Sequence, residues 1–158
     1  MMDPIISGVI AGILGTFVMD LLNHFLSKSG LISKIDIGMI GRMAVGWTHG
    51  RFFYHHPDEI EQVDKQVFYG YVAHYLIGIG FAFPYVIGWI LTIGGPVSPT
   101  WAVAYGLLTT LGSYFFIYPS MGLGAMGSRS PEGLKSPLSS LANHLFFGVG
   151  MAIGILIF

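Results

Sequence analysis

The chain of 158 residues is 53% hydrophobic and only 9% charged, with 23 glycines and no cysteine. An ordinary globular domain carries about 25% charged residues, so this chain cannot clothe a soluble surface and needs lipid as its solvent, while the missing cysteines exclude disulfides, zinc ribbons, iron–sulfur clusters and thiol nucleophiles. A formal net charge of −1 offers nucleic acid no bulk attraction, and none is expected as a partner.

A membrane-crossing helix needs about 20 mostly apolar residues, and four stretches qualify, roughly 5–27, 67–93, 100–118 and 138–158. The predicted fold is all-α, an integral membrane four-helix bundle forming a single transmembrane domain over residues 1–158. The first stretch follows Met1-Met2-Asp3-Pro4, which lacks the positive leader of a signal peptide, and no small-residue cleavage pattern precedes Asn23 and His24, so it reads as a span. Residues four apart share a helix face, and one face of this span carries Gly8, Gly12, Thr16, Asp20 and His24.

The connection from Lys28 to Gln66 is too long for a structureless loop in a compact protein. Ile35, Ile37, Ile40, Met43 and Val45 among glycines predict an interfacial or re-entrant helix there, and Trp47, Phe52, Phe53 and Tyr54 suit the headgroup boundary. Pro57-Asp58-Glu59 reads as a helix start, so the second span is expected to begin as a cytosolic helix before it enters the bilayer. A short glycine and proline turn, Thr92 to Pro99, makes spans two and three antiparallel neighbours. The last connection, Pro119 to Pro137, holds Gly122, Gly124, Gly127 and Gly133 around Ser128, Arg129 and Ser130. It reads either as a backbone anion cradle or as a flexible turn. All seven Lys and Arg residues fall in the first and third connections, which places that side in the cytoplasm and both termini outward.

Spans two and four share a pattern. Ala73-His74-Tyr75-Leu76-Ile77-Gly78-Ile79-Gly80-Phe81-Ala82 and Asn143-His144-Leu145-Phe146-Phe147-Gly148-Val149-Gly150-Met151-Ala152 both read His, three residues, Gly, one residue, Gly, one residue, Ala. Leu14-Gly15-Thr16 and Leu111-Gly112-Ser113 match more faintly, which suggests two duplicated hairpins related by an axis along the membrane normal, with His74 and His144 facing each other. Counted from the span ends, Asp20, His24, His74 and His144 lie at one depth in the cytoplasmic leaflet. Ionisable groups inside a membrane are expensive and mark functional sites by default, against the simpler account that Asp20 and His24 bond each other while the other histidines satisfy carbonyls.

Three chemistries fit this set. Imidazole and carboxylate suit Zn, Fe, Mn or Cu, so Asp20, His24, His74 and His144 form a candidate metal shell, which His49, His55 and His56 could extend or guard. A related version is a b-type haem between His74 and His144. A proton-coupled transporter would use Asp20 and His24 as a relay and, with four spans only, would need a homo-oligomer, a dimer, to line a path. A membrane enzyme acting on a lipid headgroup or other amphiphile would use Asp20 or a His as base, with Arg42, His49, Arg51, Ser128 and Arg129 as the anion-binding set, although the positive-inside rule explains those arginines equally well. The methionines show no repeated spacing and read as packing.

Thr16-Phe17-Val18-Met19-Asp20, Gly41-Arg42, His49-Gly50-Arg51-Phe52 with His55, Gly70 with His74-Tyr75, Pro119 with Gly122 and Gly124, Ser128-Arg129-Ser130-Pro131, and His144 with Gly148 together resemble a bacterial family of small four-span membrane proteins of unknown function. The resemblance covers nearly the whole chain and implies an inner-membrane protein, without an activity, cofactor or partner. The doubled His55-His56 departs from the family's single histidine and leaves open which of the two matters.

Overall fold

The computed structural model describes residues 3–157; Met1 and Met2, and Phe158 where the fourth predicted stretch ends, lie outside the described residues. Five helices carry the chain: α1 (Pro4–Lys28), α2 (Ile37–Thr48), α3 (Gln66–Thr92), α4 (Pro99–Ser120) and α5 (Lys135–Ile157). All but α2 are long and apolar enough to cross a membrane, and Ile5, Phe17, Leu76, Leu108 and Leu141 stand exposed on their outer faces, as lipid contact requires. The chain is a multi-pass membrane protein.

Local chemistry sets the helix ends. Asp3 caps α1 by accepting from the Ile5 amide at 2.8 Å, with Pro4 in the first turn and Lys28 in the last. Asp36 caps α2 in the same way through the Met39 amide at 2.8 Å. The expected early start of the second span does not form: Pro57–Glu59 is one 3-10 turn, Ile60 leaves it extended with φ −87° and is buried, and Lys65 takes a left-handed φ of 56° just before α3. The buried Ile60 anchors this segment, and the left-handed residue prevents a continuous helix. α4 contains a π-helical segment at Ser113–Ile117, closed by the Tyr118 amide bonding to the Ser113 carbonyl.

α1 and α5 pack side by side at the centre, α3 lies against α1, α4 against α5, and α2 against α3. Small residues set these contacts. A Cβ at Gly148 would lie 2.8 Å from the Val103 carbonyl oxygen and 2.9 Å from Val103 Cα, and one at Gly12 would lie 2.9 Å from the Ile79 nitrogen. The two halves therefore pair Gly12 with Gly106, each against the glycine four residues after a histidine, and the buried threonines Thr16 and Thr110 follow in register. This equivalence is shifted from the Leu14-Gly15-Thr16 and Leu111-Gly112-Ser113 match in sequence, because backbone approach at glycine decides which turns meet.

α3 and α4 touch mainly near the turn that joins them, where the Tyr85 and Tyr105 rings lie 5.1 Å apart and the Tyr85 hydroxyl bonds the Ser98 carbonyl. Towards the side of the long connections the gap between them is roofed by α2, whose Ile40 and Met43 pack with Met121, Ile77 and Ile117.

Candidate functional site

Beneath that roof is a cavity of about 380 Å³ between α1, α3, α4 and α5. His74 and His144 both line it, with Met19, Gly78, Phe81 and Phe147 around its inner end and Lys34, Asp36 and Glu132 towards the connections. The two rows that supply the histidines, Gly70-His74-Gly78-Ala82 and Ser140-His144-Gly148-Ala152, are buried throughout. Both histidines thus project from the closely packed faces of their helices.

Each imidazole is tied back on one nitrogen. His74 Nε2 donates to Asp20 Oδ1 at 2.9 Å, an ion pair when the ring is protonated, across the α1–α3 contact. Asp20 does not line the cavity; it stands behind His74, with its side chain 22% exposed. His144 Nδ1 lies 2.7 Å from Thr109 Oγ1, and the Thr109 hydroxyl bonds the Gly106 carbonyl at 2.6 Å. The His144 ring sits edge-on to Phe81 and Phe147, with centroids 6.0 and 6.4 Å away.

His24 is not part of this arrangement. It lies on the exposed face of α1, stacked edge-on against Phe25, because the row that carries it turns outward beyond Asp20. Among the described residues no group of three or more His, Asp or Glu side chains gathers so as to hold a metal ion. The carboxylate expected as a ligand is instead a partner to the imidazole.

The five residues of the anion-binding set do not share a pocket. Arg51 lies 4.0 Å from Glu61 and over the Tyr54 ring, His49 Nδ1 bonds the Val45 carbonyl at 2.9 Å, and Arg129 Nη1 donates to the His55 carbonyl at 2.8 Å. Of the two cavities described, the inner one takes in none of the set, and a smaller one takes in Arg129 together with His55 and Gly124. Arg42 lies on α2 with its Nε buried and unpartnered among the described residues, and Ser128 is exposed. The glycine-rich connection spends its amides internally: Leu123 bonds Tyr118, Arg129 bonds Leu123, and Ser130 bonds Gly127. His55 and His56 both have exposed side chains, but His55 alone lines the smaller cavity.

One polar network escapes sequence reading. The buried amides of Asn23 and Asn143 bond each other at 3.1 Å, Asn23 also donates to the Ser33 carbonyl at 2.9 Å and accepts from the Ile35 amide, and Ser33 is further held by Ser139 and Glu132. These bonds sew the segment before α2 to α5 at the cavity's mouth. The available signal was an asparagine directly beside a histidine in each of two apolar spans, Asn23-His24 and Asn143-His144.

The chain matches, over residues 9–158, the family described as "Protein of unknown function (DUF2938)", and it belongs to that family. Neither the curated proteins nor the solved structures provide a match.

Proposed function

We propose that the protein binds a membrane-soluble amphiphile in the cavity between His74 and His144, and that His74, held by Asp20, accepts a proton from its head group. The observation that carries this reading is the pair of buried imidazoles, each fixed at one nitrogen by a neighbouring helix and each lining the same chamber. A carboxylate on the far side of an imidazole orients the ring and stabilises the imidazolium that forms when it takes a proton. The cavity's size falls in the range of small-molecule sites, about 300–1,000 Å³, and its wall mixes apolar side chains with a few polar groups.

The same reading puts the cavity's mouth on the cytoplasmic side of a bacterial inner membrane, on the strength of the seven Lys and Arg residues in the two long connections. Copurified molecules provide the test. Lipid extracts of the purified wild type should be enriched in one amphiphile relative to the surrounding membrane, and His74→Ala and His144→Ala should each lose it. Extracts indistinguishable from bulk membrane in all three proteins would defeat the reading.

A second reading is a haem or transition metal with His74 and His144 as its two protein ligands. Its support is that each ring already has the outer partner, Asp20 or Thr109, that ligating histidines commonly have. Bound haem would supply redox chemistry, and an absorption spectrum with elemental analysis decides it.

A further inference from the structure

Resting on the cavity reading above, we infer that the bound amphiphile presents hydrogen-bond donors: its head carries hydroxyl groups, as a hydroquinone or a glycerol ester does, and the corresponding carbonyl compound is rejected. The inference follows from where the hydrogens of the two imidazoles must lie.

A carbonyl oxygen cannot donate, so the single hydrogen of the Thr109 hydroxyl points to the Gly106 carbonyl 2.6 Å away. That hydroxyl has only lone pairs left for His144 Nδ1, 2.7 Å away, so Nδ1 carries the ring hydrogen. Nε2 of the neutral ring is then a bare acceptor. On the other wall the Asp20 carboxylate accepts from His74 Nε2, so Nδ1 is the acceptor that the neutral His74 ring has left. Among the described residues neither His74 Nδ1 nor His144 Nε2 has a partner, and both keep some accessible surface.

Two nearby hydroxyls are already spent. Ser139 and Tyr118, which also line the cavity, commit their hydrogens to the Lys135 and Ser136 carbonyls at 2.6 and 2.8 Å. Ser113 accepts from Ser140 at 3.1 Å and keeps one hydrogen, which a hydroxyl oxygen of the ligand can accept while donating elsewhere. The lone pair of either imidazole would meet a carbonyl oxygen of a quinone lone pair to lone pair, whereas a hydroxyl of the reduced form can donate to it. Lys34, Asp36 and Glu132 put charges of both signs at the connection end of the cavity, so the selection comes from the imidazole lone pairs and not from charge.

The test is calorimetric titration of the full chain in nanodiscs with a decyl-substituted hydroquinone kept reduced, with its quinone, and with 1-decanoylglycerol. The hydroquinone or the glycerol ester should bind at least about tenfold more tightly than the quinone, which corresponds to about 1.4 kcal/mol; which of the two binds identifies the source of the hydroxyls. Thr109→Val, close in shape, removes the acceptor of Nδ1 and lets the ring hydrogen move to Nε2, so the ratio should shrink towards one while thermal unfolding stays cooperative. Quinone binding as tight as that of either hydroxyl probe, and still abolished by His144→Ala, overturns the inference and leaves the cavity reading standing. Binding of no probe, or binding indifferent to His74→Ala and His144→Ala, overturns both.

Discussion

Asp20 and His74 join α1 to α3 by one 2.9 Å hydrogen bond, in a contact where the Gly12 backbone lies against that of Gly78 and Ile79 and the Thr16 side chain lies over Gly78. The pair bridges two helices and leaves the second nitrogen of the imidazole to the cavity. Structure and chemistry therefore meet in the same bond, and substitutions can separate them.

Removing either partner strands the other in apolar surroundings. Asp20→Ala and His74→Ala should each cost about 1–3 kcal/mol, and the double variant should lose clearly less than their sum. Thermal unfolding in one detergent measures all four proteins. Strict additivity would mean that the two groups do not interact.

The glycines give a sharper contrast. Gly148→Ala forces a methyl to 2.8 Å from the Val103 carbonyl oxygen and should cost about 1–3 kcal/mol by separating α4 from α5. Gly80→Ala, two residues beyond the equivalent glycine of α3, meets nothing within 4 Å and should leave stability unchanged or raised. Equal unfolding midpoints for the two variants would contradict the packing.

Membrane orientation can be read by labelling, because the chain has no cysteine of its own. Ser29→Cys and Ser128→Cys should react together with an impermeant maleimide only when the cytoplasmic face is opened, and Gly94→Cys should react in intact spheroplasts. Reaction of all three from one side would invalidate the four-crossing arrangement.

The haem and metal reading has its own outcome. If it holds, the purified protein shows a Soret band or near-stoichiometric metal, and His74→Ala and His144→Ala remove it, whereas His24→Ala leaves it intact because His24 lies on the exposed face of α1. A colourless, metal-free protein leaves the amphiphile as the occupant.

The four long helices and α2 were legible because length and hydropathy report the solvent a segment prefers, and the His-x-x-x-Gly rows were legible because small residues at helical spacing mark close packing. His24 was misleading for a geometric reason: it continues the row of Asp20 by spacing, but near the end of α1 it stands on the exposed face while Asn23 beside it takes the buried position. Thr109 could not be found at all, since a threonine within an apolar span looks like packing until the histidine opposite it is known. The cavity is a property of the gap between α3 and α4, and no periodicity within either helix encodes a distance between them.

The π-helical segment at Ser113–Ile117 acts as a phase change in α4. An α-helix turns about 100° per residue, so one residue taken up in a wider turn rotates everything after it relative to everything before. Thr109 on one side of the segment reaches His144, and on the other side Tyr118 reaches the Ser136 carbonyl. A single α-helical register would set the two ends of α4 in a different angular relation. The wider turn lets one helix brace the imidazole at one end and close the chamber at the other.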